Sequence, residues 1–162
     1  MYSIVKIFGH PVHPMLVSFP IAFYTATLFS FIVYAVGGDP FWFRAGFASN
    51  VAGVVMAALA AVPGFIDWNM GIPSGIRAKS DGAKHMALNT TALVIFAINL
   101  WMNSGQWNAI TPVMRYAILL PVIGWLVTVT AGWFGWKMVQ THHVGVEPAP
   151  EEEHYEERRR AA

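Results

Sequence analysis

Four stretches of this chain contain no Asp, Glu, Lys or Arg: residues 15–38, 45–66, 85–114 and 116–136. Each can supply a membrane-spanning helix, which takes roughly 20 apolar residues. A soluble helical core protein would need charged faces on its helices, and these stretches have none. Of the 162 residues, 12% are charged and 56% hydrophobic, whereas a soluble domain carries about a quarter charged residues. The sequence therefore predicts an all-α integral membrane four-helix bundle, with spans at about 14–36, 41–62, 83–102 and 112–139.

The punctuation between the spans is legible. Gly37-Gly38-Asp39-Pro40 is a tight turn, and Pro20 permits a kink in the first helix. The second helix is rich in small residues (Gly46, Ala48, Gly53, Ala57, Ala58, Ala60, Ala61), which let membrane helices approach closely. Pro63-Gly64 is expected to end it, and Asn69–Lys84 to form the longest loop. Ala35-Val36-Gly37 resembles a small-residue cleavage site. The apolar run before it is too long for a signal peptide and lacks a strong basic start, so a retained helix is expected. Residues 1–146 are expected to form the transmembrane domain, and 147–162 a charged, disordered tail.

Four spans place the N-terminus, the loop between helices 2 and 3, and the C-terminus on one side. That side carries Lys6, Arg77, Lys79, Lys84 and Lys137, against Arg44 and Arg115 on the other. The asymmetry predicts cytoplasmic termini. The same face receives His10, His13, Asp67, His85, His142 and His143; the sixth histidine, His154, lies in the tail.

His10-Pro11-Val12-His13-Pro14 is the most unusual of these segments. A residue before proline avoids the helical region, so an extended or polyproline geometry is expected, with three residues per turn. On a first helical turn, positions three apart are neighbours as well. Either geometry predicts a paired-imidazole clamp of His10 and His13. On helix 3, His85, Asn89, Ala92, Phe96, Asn99 and Asn103 make a stripe at helical spacing, which should face the bundle rather than lipid. Trp42, Trp68, Trp101, Trp107, Trp133 and Trp136 lie near helix ends and suit an aromatic belt.

Several functions are excluded or disfavoured by composition. The absence of cysteine rules out disulfides, thiolate metal sites, iron–sulfur clusters and c-type haem attachment. A net charge of +1 argues against a nucleic-acid partner.

Residues 9–21, Gly-His-Pro-Val-His-Pro-Met-Leu-Val-Ser-Phe-Pro-Ile, resemble the opening signature of a family of small bacterial membrane proteins, domain of unknown function 2231. Residues 61–68, from Ala61 to Trp68, are similar to its second motif, Ala-x-x-Gly-x-x-Asp. Lys84 to Asn89 resembles the third, a His and an Asn four apart. Gly132 to Val146 resembles the last, which ends His-Gly-Val-Gly-Val; here it reads His142-His143-Val144-Gly145-Val146, so His142 is the matching histidine. The resemblance implies four helices with His10, His13, Asp67, His85, Asn89 and His142 as the signature polar set. It also implies a bacterial inner-membrane location and, through the redox proteins such chains accompany, a link to electron transfer.

Three functions fit these residues. The first is b-type haem binding and electron transfer, with His10, His13, His85 and His142 supplying ligands and Asn89 or Asp67 fixing a ligand tautomer. The second is a non-haem zinc, iron or copper site in which Asp67 joins the four histidines. The third is a structural accessory subunit, docked on a redox protein or a second copy of itself. No catalytic residue is assigned.

Overall fold

The computed structural model describes residues 3–110, 117–146 and 158–159. A small antiparallel hairpin comes first, β1 (Lys6–Ile7) and β2 (His10–Pro11). Its turn passes through Phe8 and Gly9 with φ of 49° and 83°, the two positive values of a type I′ hairpin turn. The first span follows as α1 (Val12–Leu16) and α2 (Ser18–Gly37). The break at Val17 has a cause in Pro20, whose ring lies one turn on. Proline offers no N–H to the carbonyl four residues earlier, here that of Leu16.

The second span is α3 (Pro40–Ile66), opened by Asp39, which accepts a hydrogen bond from the Phe41 N–H at 2.9 Å. Pro63 does not end it. The helix runs through to Ile66 and closes in a π turn, Asp67–Gly71. The third span is α4 (Arg77–Asn103), with a 3₁₀ turn at Ser104–Gln106. The long loop expected from Asn69 to Lys84 is therefore corrected to residues 72–76. Its charges, Arg77, Lys79, Asp81 and Lys84, all belong to the first two turns of α4. The fourth span is α5 (Leu119–Gln140). The predicted start of this span at residue 112 and most of the predicted tail, with His154, lie outside the described residues.

The four spans are 26, 32, 30 and 22 residues long, each apolar enough to cross a membrane. They form a ring: α2 packs on α3, α3 on α4, α4 on α5, and α5 back on α2. The two hairpins, α2–α3 and α4–α5, are the tightest pairs. Each helix buries one narrow stripe. On α3 it is Phe43, Gly46, Asn50, Gly53, Ala60 and Pro63; on α5 it is Pro121, Gly124, Thr128, Ala131 and Met138. The remaining faces are apolar and exposed, as lipid contact demands.

The hairpins repeat one another. An offset of 72 residues carries His13 onto His85 and Tyr24 onto Phe96. An offset of 71 carries Gly53, Ala60 and Gly64 onto Gly124, Ala131 and Gly135. The contacts repeat with the positions. A Cβ on Gly53 would stand 2.7 Å from the Tyr24 ring, and one on Gly124 2.7 Å from the Phe96 ring. Tyr24 and Phe96 stack on each other across the bundle, centroids 3.7 Å apart and planes within 4°. The bundle thus has a pseudo-two-fold axis along the membrane normal, the parallel type of internal repeat found in some transporters.

Candidate functional site

The site grows out of this repeat. His13 lies on α1, and its Nδ1–H donates to the Ala60 carbonyl at 2.9 Å. His85 lies on α4, and its Nδ1–H donates to the Ala131 carbonyl, also at 2.9 Å. A carbonyl can only accept, so each ring carries its proton on Nδ1 and, when neutral, a lone pair on Nε2. Both rings sit on a glycine one turn past the accepting alanine. A Cβ on Gly64 would fall 2.6 Å from His13 Nδ1, and one on Gly135 2.9 Å from His85 Cε1. Glycine is required at both places because the imidazole fills the space a side chain would take. The two rings then meet across the axis, centroids 6.2 Å apart and planes at 86°. Asn89 closes over His85: its Nδ2 donates to the His85 carbonyl at 2.9 Å and lies 3.2 Å from Nε2.

The other sequence-derived candidates go elsewhere. His10 stays on the exposed strand β2 while His13 turns into the bundle. The expected His10–His13 clamp is replaced by His13–His85, because the helix begins between the two histidines, at Val12. Asp67 holds the N-terminal segment: it accepts from the Ser3 hydroxyl at 2.6 Å and from the backbone N–H of Ile4 and Val5 at 2.7 and 3.0 Å. His142 pairs with Asp81, Nε2 to Oδ2 at 3.0 Å. Asp81 also receives Lys137 at 2.8 Å and Lys84 at 3.4 Å. Among the described residues no three His, Asp or Glu side chains gather as a metal-binding group. The structure therefore brings together His13, His85 and Asn89, and leaves His10, Asp67 and His142 in separate roles.

Asp81 carries more partners than any histidine here, and it lies on α4 rather than in the expected loop. Its signal was its position four residues before His85, one turn up the same helix face. Lys79 likewise sits on α4 rather than in the expected loop. Its ammonium donates to the carbonyls of Trp68, Asn69 and Ile72 and lies 4.3 Å from the Trp68 ring centre. Trp68 returns a hydrogen bond to the Lys79 carbonyl at 3.0 Å and packs where Gly82 has no side chain. It is half-buried and leaves the aromatic belt, in which Trp101, Trp107, Trp133 and Trp136 stay exposed.

Further along α4 the expected stripe is buried at Ala92, Phe96, Asn99 and Asn103, while Asn89 is exposed. Four apolar spans, an internal repeat and a histidine pair on its axis define a multi-pass membrane protein with a polar centre near one face. A family profile described as "Predicted membrane protein (DUF2231)" matches residues 9–148, and the chain belongs to that family. No curated protein and no solved structure matches it.

Proposed function

We propose that the chain binds b-type haem between His13 and His85 and serves electron transfer at one face of the membrane. The 6.2 Å between the ring centres carries this reading. A metal held by two imidazoles at about 2 Å each sets the ring centres roughly 6 Å apart. Each imidazole is already oriented by an Nδ1–H bond to a backbone carbonyl, the usual support for a metal-ligating histidine. Two protein ligands suffice for haem, whose porphyrin supplies the rest. A non-haem ion would draw on further ligands, for which His10, Asp67 and His142 would have to leave their present positions. Asn89 would swing away from His85 Nε2 to free its lone pair. When bound, the haem would supply a one-electron carrier; the protein would supply the ligands and their tautomer.

The count of basic residues on the two faces supports cytoplasmic termini, and the family resemblance supports a bacterial inner membrane and a redox partner. The test is an absorption spectrum of the detergent-purified protein, oxidised and then reduced with dithionite, with elemental analysis of the same sample. A Soret band with sharpened α and β bands, lost in both His13→Ala and His85→Ala, is expected. Stoichiometric metal without a Soret band would replace haem with a non-haem ion. Neither haem nor metal, in protein expressed with both supplied, would overturn the proposal. It would leave the pair as a lock between the hairpins.

A further inference from the structure

A second polar place lies deep in the bundle, far from the histidine pair. Three side-chain atoms there have no hydrogen-bond partner among the described residues: Tyr24 Oη, Asn50 Oδ1 and Asn99 Nδ2. Their residues are 3%, 0% and 1% exposed, so bulk water and headgroups do not reach them. Asn99 is 14 residues past His85, about 21 Å along the helix at 1.5 Å per residue.

The three belong to one layer. Tyr24 stacks on Phe96, and Asn50 Nδ2 donates to the Phe96 carbonyl at 3.2 Å. Gly53, which Tyr24 packs against, is one turn from Asn50, and Phe96 is one turn from Asn99. Because α3 and α4 run in opposite directions, Asn50 and Asn99 both lie beyond the aromatic stack, away from the histidines. Neither amide can be turned to relieve the orphans. Asn50 already gives its NH₂ to a carbonyl, and Asn99 Oδ1 accepts from Asn103 Nδ2 at 3.2 Å.

The internal repeat is broken in this layer. Tyr24 matches Phe96, which has no polar atom, and Asn50 matches Pro121. Asn99 matches Thr27, whose hydroxyl is satisfied by the Phe23 carbonyl at 2.8 Å. Unpaired polar groups in a bundle interior are costly, and they have been placed where the sister position lacks them.

We infer that this layer is a binding site for ordered water, one or two molecules held between Tyr24, Asn50 and Asn99. The donor set selects the ligand class. A cation would call for oxygen acceptors throughout, and an anion for donors throughout. One acceptor, one donor and a hydroxyl that does both suit a small neutral molecule that also does both. A buried water typically makes about three hydrogen bonds to otherwise unsatisfied groups, and three groups are offered.

The experiment is NMR of the full chain in detergent micelles with ¹⁵N-labelled asparagine, reading rotating-frame Overhauser transfer from water to the side-chain amide of Asn99. A direct-contact cross-peak is expected, together with a lowered melting midpoint in Tyr24→Phe, because the water loses a partner. Absence of the cross-peak in the folded protein overturns the inference. So does a raised midpoint in Tyr24→Phe, the result of deleting a hydroxyl from a dry site.

Discussion

At the scale of single residues, two glycines matter as much as the histidines they support. Gly64→Ala puts a methyl 2.6 Å from His13 Nδ1, and Gly135→Ala puts one 2.9 Å from His85 Cε1. Each forces its imidazole off the carbonyl it serves. Overpacking of this kind costs about 1–3 kcal/mol. Thermal melts in detergent should show both variants destabilised, Gly64→Ala the more. Gly132 is the control on the same helix as Gly135. Nothing lies within 4 Å of a Cβ there, so Gly132→Ala should leave the midpoint unchanged or raise stability by up to about 1 kcal/mol through helix propensity. Topology was the legible part of this site: an even number of spans puts His13 and His85 at one face. Spacing pairs His13 with His10, whereas the structure sets His13 against His85, because sequence separation cannot show that a helix starts between His10 and His13. In the sequence Gly64 reads as a helix stop and as part of the second family motif, and Gly135 only as one residue within the last motif; neither reads as a seat for an imidazole.

At the scale of elements, the charge-free runs located all four helices, and the errors fell at their ends. Arg77, Lys79, Asp81 and Lys84 looked like a solvated loop. Instead Lys79 gathers two carbonyls of the π turn and that of Ile72 just beyond it, and Asp81 gathers Lys84, Lys137 and His142. Charges consumed in one tight cluster let a helix begin six residues earlier than their number suggests. The two aspartates clasp the open ends of the two hairpins. Asp67, after α3, ties down the segment before α1; Asp81, in α4, ties down the segment after α5. Asp67→Ala should therefore speed proteolysis ahead of His10 several-fold while barely moving the bundle's melting midpoint. Asp81→Ala should loosen the chain beyond Gln140 and leave the N-terminal segment protected. Hydrogen exchange resolved by peptide would separate the two effects. Equal loss of protection at both ends in either variant would sink the two-clasp account.

For the whole molecule, the ring of four helices is two hairpins joined by a link at residues 72–76, with their tightest packing inside each hairpin. Membrane helices insert first and associate afterwards through packing and hydrogen bonds. A chain divided within the link and co-expressed as two pieces should reassemble, with the pieces co-purifying in mild detergent. The contacts across the axis should decide it. Tyr24→Ala removes a ring stacked 3.7 Å from Phe96, a truncation that costs about 3–5 kcal/mol for a buried aromatic ring, and should abolish co-purification. Retention of the pair in that variant would show that the edges of the ring, rather than its axis, hold the halves together.

The offsets of 71 and 72 residues also have a genetic reading. A gene for one hairpin, copied end to end, leaves this kind of trace: a few landmarks at fixed spacing on a background free to drift. In such a history His13 and His85 began as one residue facing its own image in a dimer. Fusion then freed each half to change without the other, and the asymmetric layer of Tyr24, Asn50 and Asn99 is something no symmetric ancestor could have encoded.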